Sequence, residues 1–210
     1  MDIQDIQKRI DNEIDYIIIE KLKDENMIQD YLNSKSVKIK IKNIKKLLKI
    51  TMPNSIKSER HRFIKEYIKE LIPAGTKGVL KGNKFNDYIK HVIIENISSN
   101  YEINFEQISP YHKTSEIPDW TIHNPKNKKT IIGMNQLTLW GGGHQTNRAS
   151  KYVTNNTQNT QNTIFISVVC NHITIKTKKS KVYHLFNSGF SNNILCYPKA
   201  LTKHIINFLK

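Results

Sequence analysis

The sequence predicts an α/β fold, an inference that depends on hydrophobic periodicity and on the order of the segments. Apolar residues recur at the three- and four-residue steps of amphipathic helices in the N-terminal third and again over residues 84–97. Three short apolar segments with the length and flanking turns of β-strands follow, and then a further helix and strand. This order predicts a central mixed sheet flanked by helices over residues 75–210, behind a basic helical N-terminal region, residues 1–74.

Composition restricts the class of protein. The 210 residues are 38% hydrophobic, which suits one sizeable domain and is too apolar for a disordered chain. No apolar run approaches the roughly 20 residues of a membrane span, and the N-terminus lacks the apolar core of a secretory signal. Cys170 and Cys196 are the only cysteines and have no CxxC spacing. We therefore expect a soluble, cytoplasmic protein with no membrane partner, disulfide or zinc ribbon.

The charge balance indicates a polyanionic partner. Lys and Arg number 33 against 18 Asp and Glu, which gives a formal net charge of +15. A field of that size attracts polyanions, so nucleic acid is the favoured partner and anionic lipid the less favoured one. An AT-rich genome, which enriches lysine codons, would explain the same composition without any partner.

The N-terminal region is predicted to be helical with one exception. A single amphipathic helix over residues 2–32, which would also suit packing against a second subunit, is predicted by isoleucines at helical spacing: Ile3, Ile6, Ile10, Ile14 and Ile17. The first half of residues 36–50 alternates between lysine and apolar residues, which predicts a strand with a lysine face. A further helix is expected to begin near Pro53 and to end at Pro73 and Gly75.

The remaining segments predict the sheet. A glycine-punctuated loop over residues 74–85 leads into the helix over residues 84–97. Three strands are predicted at residues 102–109, 115–120 and 128–140, the last two joined by a turn. Later segments predict a helix opening at residues 148–153, a polar loop at 154–163, a strand at 164–170, a hairpin with a basic tip at 172–186 and a closing helix at 197–210.

Two of these strands have the layout of a site for phosphodiester hydrolysis. The segment SEIPDW contains the Pro-Asp pair that ends in Asp119, and IIGMNQLTLW follows after a turn. Hydrolysis near neutral pH needs a divalent cation to activate water and to stabilise the pentavalent phosphate. Magnesium takes one or two carboxylates together with waters and phosphate oxygens, and adjacent strands can present such ligands side by side.

These segments together resemble the type II restriction endonucleases of the PD-(D/E)xK nuclease superfamily. The matching pieces are GTKGVLKGNKFNDYIKHVI, EIPDW, IIGMNQLTLW and GGGHQTNRASKY, which follow one another within residues 75–153. The resemblance implies a restriction-endonuclease-like core, residues 75–210. It also implies an enzyme of a restriction-modification system, a Mg²⁺-dependent hydrolase that acts as a homodimer and cuts double-stranded DNA at a specific sequence.

The resemblance also implies roles for individual residues. Asp119 matches the metal-binding aspartate, Gln136 stands at the position of the motif lysine and would orient the attacking water, and Asn135 would support either of them. An amide can orient water but brings no positive charge. The glycine triplet lets the backbone approach DNA, and the DNA-binding residues would be Gly142, Gly143, His144, Gln145, Asn147, Arg148 and Lys151.

The sequence departs from the family at the second acidic position. That carboxylate would fall at Met134 or Gly133, and neither residue can provide it. Glu116, three residues before Asp119, would need a bulge to share its face, and it is counted as a catalytic candidate. Glu95 on the preceding helix is the alternative metal ligand. Asn86 lies on the same helix, where many members of the family have a glutamate.

Three other functions remain open. A DNA-binding protein on a catalytically decayed nuclease fold would explain the missing acid and the positive charge. A zinc-bound His-Asn-His nuclease is suggested by His172 and His184, although the clustered histidines and cysteines of that motif are missing. An interaction protein that assembles through its N-terminal helix is the third alternative.

Overall fold

The computed structural model describes residues 1–67, 70, 72–110, 117–139 and 160–210. The chain divides into two compact units, one made of residues 1–19 and 85–210 and the other of residues 20–84. The first unit contains the sheet, and the second is helical. The sequence-based boundary after residue 74 stays a prediction.

The described residues contain eight helices and five strands. The helices are α1 (Ile3–Glu13), α2 (Tyr16–Lys21), α3 (Asp24–Asn33), α4 (Lys35–Thr51), α5 (Lys57–Glu66), α6 (Ala74–Asn96), α7 (Lys181–Ser191) and α8 (Pro198–Leu209). The strands are β1 (Glu102–Phe105), β2 (Trp120–Asn124), β3 (Lys129–Gln136), β4 (Thr163–Val169) and β5 (Leu195–Cys196). The predicted α/β class is confirmed.

The strands form one mixed sheet in the order β1-β2-β3-β4-β5. The first three strands are antiparallel neighbours, and β4 and β5 continue the sheet parallel to β3. The turn between β2 and β3 is anchored to the end of α8, because the side-chain amides of Asn124 and Asn127 donate to the Leu209 carbonyl at 2.9 and 2.8 Å. The predicted mixed sheet flanked by helices is therefore present, whereas its assignment as a restriction-endonuclease core stays a prediction.

Helix α1 belongs to the core of the sheet-containing unit. Ile6, Ile10 and Ile14 are fully buried and cluster with Val169 and with the aromatic rings that follow the sheet, namely those of Phe186, Phe190 and Tyr197. Complete burial of an isoleucine side chain contributes about 1.5–3 kcal/mol. The isoleucine spacing therefore predicted a helix and its buried face correctly.

The prediction of one helix over residues 2–32 is wrong, because the helix ends at Glu13. Ile14 is extended, and the carboxylate of Asp15 accepts from the Ile17 backbone N–H at 2.9 Å, so a new helix begins. After this break Ile17 is 64% exposed, and Ile18 takes the buried position instead. Local capping by aspartate competes with helix continuation in this way.

The predicted lysine-faced strand within residues 36–50 is also wrong, since this whole segment lies in α4. Val37 and Leu48 are buried and Ile41 and Ile44 are half-buried, and these four residues follow one another at helical steps. The alternation therefore coexists with a helical period, and burial of the helical face decides the outcome.

Two other predictions are wrong because the segments contain helix in place of the predicted loop and hairpin. The loop expected over residues 74–85 is the first half of α6, which begins at Ala74, so Gly75 lies inside a helix and does not end one. The hairpin expected over residues 172–186 contains no strand, and α7 begins within it, where the Ser180 hydroxyl accepts from the Tyr183 N–H at 3.1 Å. The strand at residues 164–170 and the closing helix with Pro198 in its first turn are confirmed. Most of the predicted helix and polar loop at residues 148–163 lies outside the described residues.

His204 on α8 gives the sheet-containing unit a pH dependence. Arg9 donates to Glu13 at 2.6 Å and approaches the His204 Nε2 at 3.2 Å, and burial lowers the pKa of that imidazole. The unfolded chain therefore takes up a proton below about pH 6.5 that the folded chain does not. We expect the free energy of unfolding to decline as the pH falls from about 6.5 and His204→Gln to make that decline shallower. Urea unfolding between pH 7 and 5.5 measures this decline in the unchanged protein and in His204→Gln. His91→Gln is the control, since His91 is exposed. An equal dependence of the free energy of unfolding on pH in the unchanged protein and both variants would contradict the expectation.

No helix in the described part of the chain is both long enough and apolar enough to cross a membrane. The predicted cytoplasmic location stays a prediction.

Candidate functional site

Asp119 lies immediately before the first residue of β2, in the sheet-containing unit. Its backbone N–H donates to the Gly133 carbonyl on β3 at 3.1 Å, and its own carbonyl accepts from the Glu106 N–H at 3.0 Å. The backbone of Asp119 is therefore held between both neighbouring segments, and its half-buried side chain is directed along β3.

The carboxylate of Asp119 is bound from two further elements. Its Oδ2 accepts from the Asn135 backbone N–H on β3 at 2.6 Å, and its Oδ1 accepts from the Asn86 Nδ2 on α6 at 3.2 Å. Because both oxygens accept N–H donors from different elements, the orientation of this carboxylate is fixed. A carboxylate is thus fixed where a helix and two strands meet.

The side-chain amides around Asp119 have one consistent orientation. The Trp120 Nε1, which can only donate, bonds to the Asn135 Oδ1 at 3.0 Å. The Asn135 Nδ2 then donates to the Asn86 Oδ1 at 3.2 Å, and Asn86 donates onward to Asp119. We refer to Asp119, Asn86, Asn135 and Trp120 as the Asp119 network.

Gly133 makes this arrangement possible. It pairs directly opposite Trp120 in the β2–β3 register, and a Cβ built on it would lie 1.9 Å from the Trp120 Cε2. The indole, which is only 1% exposed, therefore lies over β3 in the space that a side chain would fill. From there its N–H reaches Asn135, two residues further along the same face of β3.

Gln136 is not part of the Asp119 network. Because side chains alternate along a strand, Gln136 and Met134 leave β3 on the face opposite to that of Asn135. Asn135 is thus the residue of β3 that the structure brings to Asp119. The proposed role of Gln136 in orienting water stays a prediction.

Two carboxylates, Glu95 and Glu116, are the predicted partners of Asp119. Glu95 is exposed on α6 and lies nine residues beyond Asn86, about 14 Å along the helix axis. Helix α6 therefore presents Asn86, and not Glu95, to Asp119. Glu116 lies outside the described residues, as do all the predicted DNA-binding residues: Gly142, Gly143, His144, Gln145, Asn147, Arg148 and Lys151.

The ligand chemistry of the network fits a cation that needs few protein ligands. Within the described ranges, no group of three or more His, Cys, Asp or Glu side chains could hold a metal ion. The network offers one carboxylate, Asp119, and amide oxygens next to it. Magnesium binds through one or two carboxylates and completes its shell with waters and substrate phosphates, so this set fits Mg²⁺ and does not fit a metal that requires a full protein cage.

The buried carboxylate of Asp15, in the same unit, positions helix α6. Asp15 accepts from the Tyr88 hydroxyl and from the Ile17 N–H. Burial and this bond raise the pKa of Tyr88, and burial raises the pKa of the Cys170 thiol to about 12. Tyr88 and Cys170 therefore stay protonated near neutral pH. Their role is structural, because Tyr88 fixes the helix that carries Asn86 two residues away.

The close approach of Trp120 to Gly133, and the hydrogen bond from Trp120 to Asn135, were not predicted from the sequence. A glycine inside an apolar strand marks a close approach by another group. Once the turn between β2 and β3 sets the register, the partner opposite Gly133 is Trp120. That pairing is the signal from which the contact can be predicted.

Comparison of the chain with protein-family models, with curated proteins and with solved structures found no match.

Proposed function

We propose that this protein is a Mg²⁺-dependent endonuclease that hydrolyses phosphodiester bonds in double-stranded DNA at specific sites. The observation that carries the proposal is the placement of Asp119, whose carboxylate is held by Asn135 of the adjacent strand and by Asn86 of α6. The order of elements around it, a helix followed by three antiparallel strands and a parallel strand, supports the proposal. So does the resemblance of residues 75–153 to the PD-(D/E)xK endonucleases.

The residues of the network have distinct roles in this proposal. Asp119 would bind Mg²⁺, which supplies an activated water and stabilises the charge that develops on phosphate. Asn135 and Asn86 hold the carboxylate in place and present polar groups to the phosphate side of the site. The bond from Trp120 to Asn135 keeps the amides from rotating, so the site is organised before DNA binds.

Other parts of the proposal rest on the resemblance, and several of them extend beyond the described residues. Gln136 and Glu116 remain candidates for orienting water and for the second carboxylate. The segment with Gly142, Gly143, His144, Gln145, Asn147, Arg148 and Lys151 is proposed to contact DNA. A homodimer and a role in restriction and modification are proposed on the resemblance alone.

A second function is favoured by one specific observation. In the described part of the chain, Asp119 is the only carboxylate of the network, whereas the family motif contains two acids. A DNA-binding protein on a catalytically decayed nuclease fold would retain the network as structural support and would bind DNA without cutting it.

Incubation of the purified protein with plasmid and viral DNA, in Mg²⁺ or in EDTA, separates these functions. We expect discrete fragments in Mg²⁺ and intact DNA in EDTA. Intact DNA in Mg²⁺ and in Mn²⁺, together with salt-dependent binding, would contradict the nuclease and favour the binding protein. The slope of log affinity against log salt is about 0.9 per phosphate contact on duplex DNA, so it also gives the number of contacts.

A further inference from the structure

One part of the chain concentrates positive charge with no negative charge beside it in sequence. Residues 31–58 contain eight lysines and no aspartate or glutamate. Seven of these lysines lie in α4, in the helical unit made of residues 20–84. A solvated helix face normally intersperses both signs of charge, so this segment differs from an ordinary exposed surface.

The fold of α4 arranges these lysines in a row. Lys38, Lys42, Lys45 and Lys49 follow one another at steps of four, three and four residues, which places them on one face of the helix, and all four are exposed. We call these four residues the lysine stripe. Lys46 is exposed beside it, and the stripe and Lys46 line one shallow depression together with Ile41. From Lys38 to Lys49 the stripe extends about 16 Å along the helix axis.

The lysines of α4 differ from other lysines of the same unit. Lys77 and Lys81 each contact Asp24 at 2.8 Å, and Lys84 contacts Asp30 at 2.7 Å. Between described residues, no ion pair joins a lysine of α4 to a carboxylate. Like charges at helical steps destabilise a helix by a few tenths of a kcal/mol per pair. A bound polyanion would remove that repulsion.

We propose that the lysine stripe binds the sugar-phosphate backbone of double-stranded DNA. A duplex carries one negative charge for about every 1.7 Å of its axis when both strands are counted, so a duplex segment as long as the stripe carries about nine phosphate charges. Lysine binds phosphate as a point charge and reads no bases, which makes this surface a source of sequence-independent affinity. The choice of duplex DNA as the polyanion rests on the proposed function, whereas the anion-binding face itself depends only on α4.

The same helix is poorly suited to an anionic membrane surface. A membrane-surface helix buries a continuous apolar face and carries its lysines along the edges. The exposed apolar residues of α4, which are Ile39, Leu47 and Ile50, share their side of the helix with Ser36 and Asn43. The lysine stripe is thus the exposed face of α4 with uniform chemistry, and that chemistry is charge.

The test is a quadruple Lys→Gln variant of the lysine stripe in the full-length protein. Glutamine has nearly the helix propensity of lysine, so α4 is retained, and circular dichroism checks this. The control replaces four exposed lysines of the sheet-containing unit by glutamine: Lys126, Lys176, Lys179 and Lys199. Affinity for a duplex of unrelated sequence is measured in EDTA at several salt concentrations. A quadruple Lys→Arg variant of the stripe keeps the charge.

We expect the stripe variant to lose about three to four units of salt slope, at about 0.9 per contact, and at least tenfold in affinity at about 0.1 M salt. The control and the Lys→Arg variant are expected to keep the slope of the unchanged protein. Equal losses in the control and the stripe variant would overturn the proposal, because general charge would then explain both. An unchanged salt slope in the stripe variant would also overturn the proposal. Binding to phosphatidylserine vesicles is measured for the same variants. A stripe variant that no longer binds these vesicles but keeps its affinity for DNA would overturn the proposal as well.

This experiment separates the stripe from the nuclease. Binding in EDTA requires no catalysis, so a protein that never cuts DNA but loses its salt slope in the stripe variant supports the stripe and contradicts the nuclease. Cleavage in Mg²⁺ with an unchanged slope in the stripe variant supports the nuclease and overturns the stripe.

Discussion

Replacement of Asp119 by alanine is expected to lower Mg²⁺-dependent cleavage of DNA by roughly 10³-fold or more, with little change of DNA affinity in EDTA. The charge stabilisation that a metal ion supplies is worth several kcal/mol, and each 1.36 kcal/mol is a factor of ten in rate. Asp119 is the carboxylate that the described network offers to the metal, so alanine at this position removes the ligand. The rate of plasmid cleavage at saturating DNA and the affinity for a duplex are the two measurements.

The same substitution has a structural consequence that can be measured separately. It removes the acceptor of the Asn135 N–H at 2.6 Å and of the Asn86 amide at 3.2 Å. A buried donor that loses its acceptor costs about 1–3 kcal/mol, and these groups are half-buried, so we expect the lower part of that range in urea unfolding. A loss of cleavage far larger than the loss of stability would show that Asp119 acts on the reaction and not merely on folding.

Glu95→Gln is the matched control, since Glu95 is an exposed carboxylate on the helix that carries Asn86. We expect it to cleave at nearly the rate of the unchanged protein. Normal cleavage by Asp119→Ala would exclude Asp119 as the metal ligand. A loss in Glu95→Gln as large as that in Asp119→Ala would instead contradict the placement of Glu95 outside the site.

The parts of the fold that the sequence predicted are those where periodicity and turn signals agree. After its first residue, strand β4 is an apolar segment interrupted only by Ser167, and α8 begins with Pro198 in its first turn. The failures occur where two periods fit one segment or where a short-range bond interrupts a pattern. The lysine and isoleucine residues of α4 fit both a strand and a helix, and only burial of Val37 and Leu48 decides between them.

The first half of α6 shows how tertiary contacts override propensity. Gly75, Gly78 and Gly82 each cost a helix about 1 kcal/mol relative to alanine, which is why the sequence favoured a loop. The helix nevertheless continues, and two lysines on that half, Lys77 and Lys81, both contact Asp24. Contacts with a carboxylate some fifty positions away in the chain cannot be derived from a local pattern.

The polar residues of the candidate site could be predicted from the sequence, whereas the contact between Trp120 and Gly133 that orients them could not. The Pro-Asp pair and the following strand identified Asp119 and Asn135, because their chemistry and order are visible in the sequence. The orientation of Asn135 depends on Trp120, which reaches it only because Gly133 lacks a side chain. That contact requires the exact pairing of two strands, and a shift of one residue would direct these side chains to opposite faces.

Gly133→Ala is accordingly expected to be among the most damaging single substitutions in the sheet. The added Cβ would lie 1.9 Å from the Trp120 Cε2 and 2.2 Å from its Cδ2 and Cζ2, and the indole is buried, so the ring or the strand must move. Overpacking of this kind costs typically 1–3 kcal/mol and occasionally more. For a chain of this size that corresponds to a fall in Tm of roughly 2–12 °C. Cleavage is expected to fall as well, because displacement of the indole breaks its bond to Asn135.

Gly82→Ala in α6 is the matched control, and its expected effect on Tm has the opposite sign. A Cβ at Gly82 meets nothing within 4 Å, and alanine is favoured over glycine by about 0.8–1 kcal/mol in a helix interior. We expect Gly82→Ala to raise Tm by about 2–4 °C. A Tm that is unchanged or raised in Gly133→Ala would contradict the placement of the Trp120 indole against Gly133.

A double variant identifies the indole as the cause of the loss. Trp120→Phe replaces the fused ring with a smaller one, which leaves room for part of the added methyl group. The two substitutions are in contact, so their effects on the free energy of unfolding should not add. We expect Trp120→Phe combined with Gly133→Ala to be more stable than the sum of the single losses predicts, by about 1 kcal/mol or more. Additive losses in urea unfolding would mean that the methyl group and the indole do not share this space, and that something other than Trp120 determines the cost of a side chain at Gly133.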